Sequence, residues 1–508
     1  MHYLLIVIRA LLAAWTWISE RFRRFDRAMR DRYHPAQLAA VAVVVLTVIV
    51  AAMLLFPPYL GMSNDGSFDN VMRDVGLERI DPTDDAPYFS FYERLYRISP
   101  QTYRPDTTPQ LQRWVIRQAI TLDLILTGDD CFDMRFLAGI YLVLYAVVLY
   151  PFFKWVLSRV KIYSEGLALA VIGVAVFSDA SLVTRFASLY VYPLELILVL
   201  AVVECVLYCA NRQGEGAAPL MLAVSTALLM EVNPYCSLAG IVVSLVYWML
   251  AGRKVGALRR TFFVLAALIL CMGSVVSLAG MVRDQTPVQK YNQMTRGVLF
   301  QATDPEKALA EFGIEPRYSV LTETYAEQEF PVVLPSSGTL DEGFFDRYTT
   351  SDVLLHYLRH PGALFGLLDV GVYDSFNLQP SYNGNFERSV GLPAMAKAPI
   401  PLLWSTFKAQ SAPKTVGFLI LLLMVFVLAW RRKDQSEAER MHRAFICVLT
   451  LMFFAELFTA LLMAGDSEML HESFVMGVGI DILATLFLSE VLSKTKMIQD
   501  EESESGAA

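Results

Sequence analysis

The chain has 508 residues, of which 55% are hydrophobic and 18% are charged, and its mean hydropathy is +0.44. Soluble domains carry about a quarter charged residues, so this composition excludes a soluble enzyme. It also excludes a disordered chain, which needs low hydrophobicity and high charge. The formal net charge of −8 argues against nucleic acid as a partner, because that interaction needs clustered cations.

Long apolar runs predict an all-α polytopic membrane protein. A helix needs about 20 apolar residues to cross a bilayer, and we expect ten crossings, of which two are short. Most of them form a transmembrane core within 37–282, and the rest form a C-terminal group at 415–492. The ten predicted spans are 37–56, 135–157, 166–180, 190–210, 218–231, 236–252, 261–282, 415–430, 441–464 and 473–492.

The two ends of the chain differ in character from this core. The segment 1–36 holds an apolar stretch at 3–18, followed by the basic residues of 21–35. Because no small-residue cleavage site is evident, we expect an uncleaved helix in the membrane interface. Whether that segment spans the membrane stays open. The acidic tail 493–508 is expected to be disordered.

The distribution of Lys and Arg predicts the orientation in the membrane. Basic residues concentrate near the short loops 253–260 and 431–440, which the positive-inside rule assigns to the cytoplasm together with both termini. Two long loops, 57–134 and 283–414, then face outward. The first carries 13 acids against 7 bases and the second carries 15 against 11.

The first long loop begins with a polar turn directly after the first span. Asp65 and Asp69 lie four residues apart, and a helix beginning near Ser67 would place Asp69 in its first turn. One interpretation is N-terminal capping, since Asp, Asn and Ser are preferred caps and acids suit the helix dipole. The other is a catalytic carboxylate held at the membrane surface.

Helical patterns also occur within both loops. Residues 109–126 predict a helix that lies in the membrane interface or packs on the loop's own domain. Further helices are expected at 305–312 and 351–368, the latter interrupted at Pro361. His356 and His360 stand at i, i+4, which can place two metal ligands on one helix face. No third ligand is apparent, so phosphate or interface contact and ordinary surface histidines remain alternatives.

Ionisable residues occur inside several predicted spans. A charged side chain in the bilayer costs free energy, so such residues are functional candidates by default. Each acid could also pair or hydrogen-bond between helices. Arg185 lies in an outward turn between apolar helices and could bind the phosphate of a lipid carrier. The acids concerned are Glu204, Glu231, Glu456 and Asp481.

Four short motifs, together with the span pattern, carry a resemblance to a known family. They are NDG at 64–66, DPEKALAEFGIEPRY at 304–318, YLRHPG at 357–362 and LWSTFK at 403–408. With these motifs the chain resembles the GT-C superfamily of membrane glycosyltransferases. More narrowly, it is similar to the WsfD-like hexose transferases of bacterial surface (S-layer) glycan synthesis.

The resemblance implies inverting transfer of a hexose from a polyprenyl-phosphate donor to a glycan acceptor, on the outer face of a bacterial membrane. Asp65 would be the general base, and Asp69 a second base, a metal ligand or a structural cap. Arg185, Lys290 and Arg296 would bind the donor phosphate. No metal ligand is assigned, and the cofactor is unknown, with a divalent cation left open.

Two departures from related families bear on the acceptor. The first loop lacks the adjacent Asp-Glu pair of protein mannosyltransferases, and the chain has no WWD-type block like that of oligosaccharyltransferases. A protein acceptor is therefore not expected. A glycan polymerase or ligase, a flippase or transporter of lipid-linked sugars, and a non-catalytic scaffold remain as alternative functions.

Overall fold

A computed structural model describes residues 21, 24, 26 and 28 and the ranges 34–212, 214–326, 332–379, 383–398, 403–429, 437–467 and 473–493. The predicted interfacial helix at 3–18 lies outside the described residues. So do the predicted tail after residue 493 and most of the basic segment 431–440.

The described chain is built almost entirely from helices. They are α1 (Pro35–Leu55), α2 (Phe68–Val75), α3 (Gln110–Thr127), α4 (Met134–Ser158), α5 (Tyr163–Phe177), α6 (Ala180–Val183), α7 (Tyr192–Asn211), α8 (Ala218–Val232), α9 (Ser237–Ala251), α10 (Ala257–Arg283), α11 (Pro287–Asn292), α12 (Leu299–Gln301), α13 (Pro305–Glu311), α14 (Thr350–Arg359), α15 (Pro361–Ser375), α16 (Leu403–Ser411), α17 (Val416–Ala429), α18 (Glu437–Ala464) and α19 (Phe474–Leu492). A π-helical segment, Gln293–Val298, joins α11 to α12.

The prediction of an all-α polytopic membrane protein is confirmed. Within the described ranges, seven helices are long and apolar enough to cross a membrane: α1, α4, α7, α9 with its preceding turn, α10, α18 and α19. Helix α5 and the segment Ala180–Phe186 meet at 43° and make an eighth, broken candidate. This pair corresponds to the predicted span 166–180.

One of the ten predicted spans, 218–231, is too short to cross a bilayer when straight. The corresponding helix α8 has 15 residues. At 1.5 Å per residue it covers about 23 Å, against about 30 Å of hydrocarbon. Helix α8 ends at Val232 because Asn233 precedes Pro234, which disfavours the helical conformation there.

Burial sorts the spans into a centre and a periphery. Helix α7 is the most enclosed, with 83% of its apolar window buried, whereas α1 and α10 have 33% and 28%. The exposed side chains of α1 include Val41, Val44 and Val48. A row of exposed valines on so apolar a helix is explained by contact with lipid.

The first long loop contains α2, α3 and a small sheet that the sequence did not predict. Its strands, β1 (Leu77–Arg79), β2 (Leu95–Ile98) and β3 (Cys131–Asp133), pair antiparallel in the order β1-β2-β3. Leu77 lies opposite Ile98. Strands of three or four residues are too short to show a clear alternation of apolar and polar positions. Helix α3 confirms the helix predicted at 109–126.

The second long loop contains α11 to α16. Helices α13 and α14 confirm the two helices predicted there, and the predicted break before Pro361 separates α14 from α15. Thr349 and Asp352 form a capping box that fixes the start of α14.

The two long loops pack against each other at one end of the bundle. Leu60 and Phe386 form an isolated antiparallel bridge, and the Gly61 N–H donates to the Asn385 carbonyl at 3.0 Å. A Cβ at Gly384 would collide with the Ser90 carbonyl oxygen, so this approach requires glycine. The start of the first loop is therefore held by the second.

Candidate functional site

The turn after α1 fixes the Asp65 carboxylate. Helix α2 begins at Phe68, as the sequence predicts for a helix from Ser67 onward. Asn64 Oδ1 accepts from the Phe68 N–H at 3.2 Å, so Asn64 provides the capping bond. Asp65 Oδ1 accepts from the Ser67 N–H at 3.0 Å and the Ser67 hydroxyl at 2.6 Å. Gly66 between them has φ of +100°, a conformation that glycine tolerates at little cost.

Ser63, directly before this turn, joins three distant segments. Its hydroxyl donates to the Phe89 carbonyl at 2.9 Å and accepts from the Gly384 N–H at 3.0 Å. Its carbonyl accepts from the Tyr190 hydroxyl at 3.0 Å and from the Asn383 side-chain amide at 3.2 Å. The Asp65 turn is thus positioned by both long loops and by the segment before α7.

A line of aromatic rings leads from this turn into the bundle. The Phe68 and Tyr190 centroids are 4.5 Å apart, and those of Tyr190 and Tyr192 are 5.3 Å apart. The guanidinium of Arg185 lies 5.3 Å from the Tyr192 ring centroid and 4.8 Å from that of Phe474. Two of the predicted site residues, Asp65 and Arg185, are thereby brought to the same region.

Arg185 and Lys397 bring two cations into this region. Arg185 is 1% exposed, and its guanidinium donates to the carbonyls of Ser181 and Leu378, the latter at 2.6 Å. Lys397 donates to the Asn383 carbonyl. Burial, with a further contribution from Arg185, lowers the pKa of Lys397 to about 8.

Sequence reasoning did not identify Lys397 or Asn383. Neither belongs to a recognisable motif. The only signal was the polar Asn-Gly-Asn at 383–385, which is typical of a turn. Their relation to Asp65 arises from packing between the two loops.

Asp69 occupies a different environment from Asp65. It lies exposed in the first turn of α2, and its carboxylate accepts from the Tyr88 hydroxyl at 3.1 Å. The Arg79 guanidinium stands 4.6 Å from the Tyr88 ring centroid. This position agrees with the expected first-turn placement, where an acid complements the helix dipole.

The other two cation candidates, Lys290 and Arg296, lie in the second loop, and no described contact joins them to the Asp65 turn. The Arg296 guanidinium forms two 2.6 Å bonds to the Asp466 carboxylate and a 3.0 Å bond to the Glu323 carbonyl. The Lys290 backbone carbonyl accepts from Tyr348 at 2.6 Å. The structure therefore groups Arg185, but not Lys290 or Arg296, with Asp65.

The acids in and beside the predicted spans differ in burial and in their partners. Asp481 accepts from Lys408 and from the Trp404 indole, each at 2.8 Å, and Asp179 accepts from the Ser405 N–H at 3.0 Å. Helix α16, which carries the LWSTFK motif, is docked by these contacts. Glu231 caps α3 by accepting from the Gln110 N–H at 2.5 Å. Glu204 is half-buried and Glu456 is fully buried.

Two cavities offer room for lipid. One of about 350 Å³ lies between α16, α17, α18 and α19, and its lining is mainly apolar, with Trp404 and Phe487 among the residues. A second of about 610 Å³ lies between α3 and α8 and carries Arg113, Trp114 and Arg117. The first suits a hydrocarbon chain and the second an anionic headgroup.

Comparisons with known proteins give one match. No curated protein and no solved structure matches the chain. One family model, described as the YfdI N-terminal transmembrane domain, matches residues 23–507 and so covers nearly the whole sequence. By this match the chain belongs to the YfdI N-terminal transmembrane domain family.

Proposed function

We propose that this protein is a membrane glycosyltransferase that moves a hexose from a polyprenyl-phosphate donor to a surface-glycan acceptor. YfdI is a glycosyltransferase-like membrane protein, which supports the general class. The GT-C and WsfD-like resemblances, the hexose and the outer face of a bacterial membrane belong to the proposal.

One observation carries the proposal: the turn that fixes Asp65 is linked to two cations. It reaches Lys397 through the hydrogen bonds of Ser63 and Asn383, and Arg185 through the rings of Phe68, Tyr190 and Tyr192. Burial and the charge of Arg185 together lower the pKa of Lys397. A lipid-phosphate donor and an aqueous acceptor must meet at the membrane surface. The apolar cavity beside α16 adds room for a lipid chain in the same bundle.

The chemistry assigns a role to each charge. An acceptor hydroxyl attacks the anomeric carbon of the donor sugar and passes its proton to Asp65, the general base. The bond from that carbon to the phosphate oxygen breaks, and its electron pair leaves with the lipid phosphate. Arg185 and Lys397 stabilise the negative charge that develops there. Asp69 has a structural role in this scheme.

The transport alternative depends on acids that line a path through the membrane. Asp481 is held by Lys408 and Trp404 and helps to anchor α16. An acid engaged in this way supports the architecture of the bundle, so the transferase assignment is preferred.

The decisive experiment compares Asp65→Asn with Asp69→Asn in purified protein supplied with a radiolabelled polyprenyl-phosphate hexose. Asparagine retains an oxygen that can accept from Ser67, but it cannot take a proton. We expect Asp65→Asn to fold normally and to lose about 10²-fold or more in transfer rate. Asp69→Asn is the matched control and should stay close to wild type. Wild-type turnover in Asp65→Asn would end the catalytic assignment.

The proposed orientation has its own test. In a Cys131→Ser background, which removes the exposed natural cysteine, single cysteines replace the exposed residues Ser336 and Lys254. In intact cells an impermeant thiol reagent should label the cysteine at position 336 and spare the one at position 254. The reverse pattern would place the Asp65 turn on the cytoplasmic side.

A further inference from the structure

The second long loop brings together three side chains that lie apart in the sequence. Glu311 is the last residue of α13, His356 lies on α14, and His360 stands between α14 and α15. Glu311 Oε2 is 2.9 Å from His356 Nδ1, and Glu311 Oε1 is 2.9 Å from His360 Nε2. One potential ligand atom from each residue lies within 4.8 Å of the others. The third ligand, which the sequence did not reveal, lies 45 residues before His356.

These atoms match the donor set of a transition-metal site, and they lie close to the spacing that such a site needs. Two imidazoles and one carboxylate are a common set for zinc, and its bonds to such ligands are about 2.0–2.2 Å long. Ligand atoms around a tetrahedral ion of that size are about 3.3 Å apart. The observed separations need only small side-chain movements to reach that arrangement.

The surroundings hold the ligands in place while leaving access to water. His356 is only 6% exposed, and its ring packs 5.4 Å from the Phe312 ring and 4.5 Å from that of His360. The side chains of Glu311 and His360 are 36% and 45% exposed. A metal ion could therefore enter from the aqueous side and keep a water molecule as its fourth ligand.

We propose that Glu311, His356 and His360 bind a divalent transition-metal ion of the Zn²⁺ class. The ion joins the end of α13 to the junction of α14 and α15, and so fixes the fold of the second loop. This binding does not depend on the proposed sugar transfer. The competing description is a Glu–His hydrogen-bonded cluster that binds no metal.

The test uses the full chain, purified in lipid nanodiscs, stripped with a chelator and titrated with Zn²⁺ against a chromophoric indicator. Wild type should bind one ion with high affinity, and Co²⁺ in its place should give visible absorption bands typical of nitrogen and oxygen ligands. Glu311→Gln and His360→Gln alter the exposed ligands and leave the buried His356 intact. Loss of an outer-shell partner typically weakens metal binding about 10–100-fold, so loss of a direct ligand should weaken it about 100-fold or more and abolish the Co²⁺ bands.

Two matched controls separate this site from adventitious binding. Glu306→Gln removes another exposed acid of α13, and His34→Gln removes an exposed histidine elsewhere. Both should bind Zn²⁺ like wild type. Absence of tight binding by wild type, or equal binding by the Glu311→Gln and His360→Gln variants, would overturn the proposal and leave the hydrogen-bonded cluster.

Discussion

Arg185 and Arg296 are both buried, and each stacks on two aromatic rings, yet their partners differ in kind. Arg296 faces the carboxylate of Asp466 in a bidentate ion pair. Arg185 donates to backbone carbonyls and has Lys397 and Glu195 as electrostatic neighbours. In the first arrangement the guanidinium pairs with a carboxylate at hydrogen-bond distance, whereas the second combines backbone carbonyls with charged neighbours of both signs. Burial and residue type alone do not separate a structural arginine from one that is proposed to bind a ligand.

The largest effect, on folding stability, should come from breaking the ion pair between Arg296 and Asp466. Arg296→Ala leaves the Asp466 carboxylate buried without its ion partner, which typically costs about 3–5 kcal/mol of folding stability. We expect a marked fall in the unfolding temperature and in the yield of folded protein. The double variant Arg296→Met, Asp466→Leu removes both charges and should recover most of that stability. Normal stability in Arg296→Ala would show that this ion pair does not stabilise the fold.

A smaller and different effect is expected at Arg185. Removing a charged group that bonds to donor phosphate should raise the apparent KM for the polyprenyl-phosphate donor about tenfold or more. Arg185→Lys should recover only part of this loss, since lysine keeps the charge but not the bidentate geometry. Both variants need a thermal-unfolding control, because Arg185 also bonds to the protein backbone. A folded Arg185→Ala enzyme with unchanged donor KM would remove Arg185 from the site.

The smallest effect is a pH dependence at Lys397. Its pKa of about 8 means that the ammonium group loses its proton as the pH rises through that value. Donor KM should therefore rise severalfold between about one unit below and about one unit above the pKa. Lys397→Arg should flatten this dependence, because arginine stays charged over the same range. The pH profile of donor KM for the two proteins is the measurement, and identical profiles would exclude a role for the Lys397 charge.

The fold was largely predictable because its signals are local. Apolar runs, turns and caps lie within short stretches, so the spans, α3, α13 and the break before Pro361 follow from the sequence. The short sheet of the first loop was not predicted, because its strands have too few residues to show a clear alternation of apolar and polar positions. The predicted span 218–231 is short in the sequence already, and α8 has 15 residues in the structure.

The candidate site was predictable only in part, for the same physical reason. Asp65 was identifiable from its place just after a span, and Arg185 from its charge between apolar helices. The separation of Arg185 from Arg296 depends on Asp466, which lies 170 residues from Arg296. The roles proposed for Lys397 and Glu311 likewise follow only from contacts between residues that lie far apart in the sequence.

The hydrogen bonds of Ser63 carry a consequence for biosynthesis. Its partners Asn383 and Gly384 lie 320 and 321 residues further along the chain. During translation, the first span and its loop therefore emerge long before the segment that locks the Asp65 turn is made. The early loop must remain incomplete while four further spans insert, or five if the bent pair α5 and Ala180–Phe186 is one span. Catalytic competence, if Asp65 is the base, is then acquired in one late step, after most of the membrane bundle has assembled.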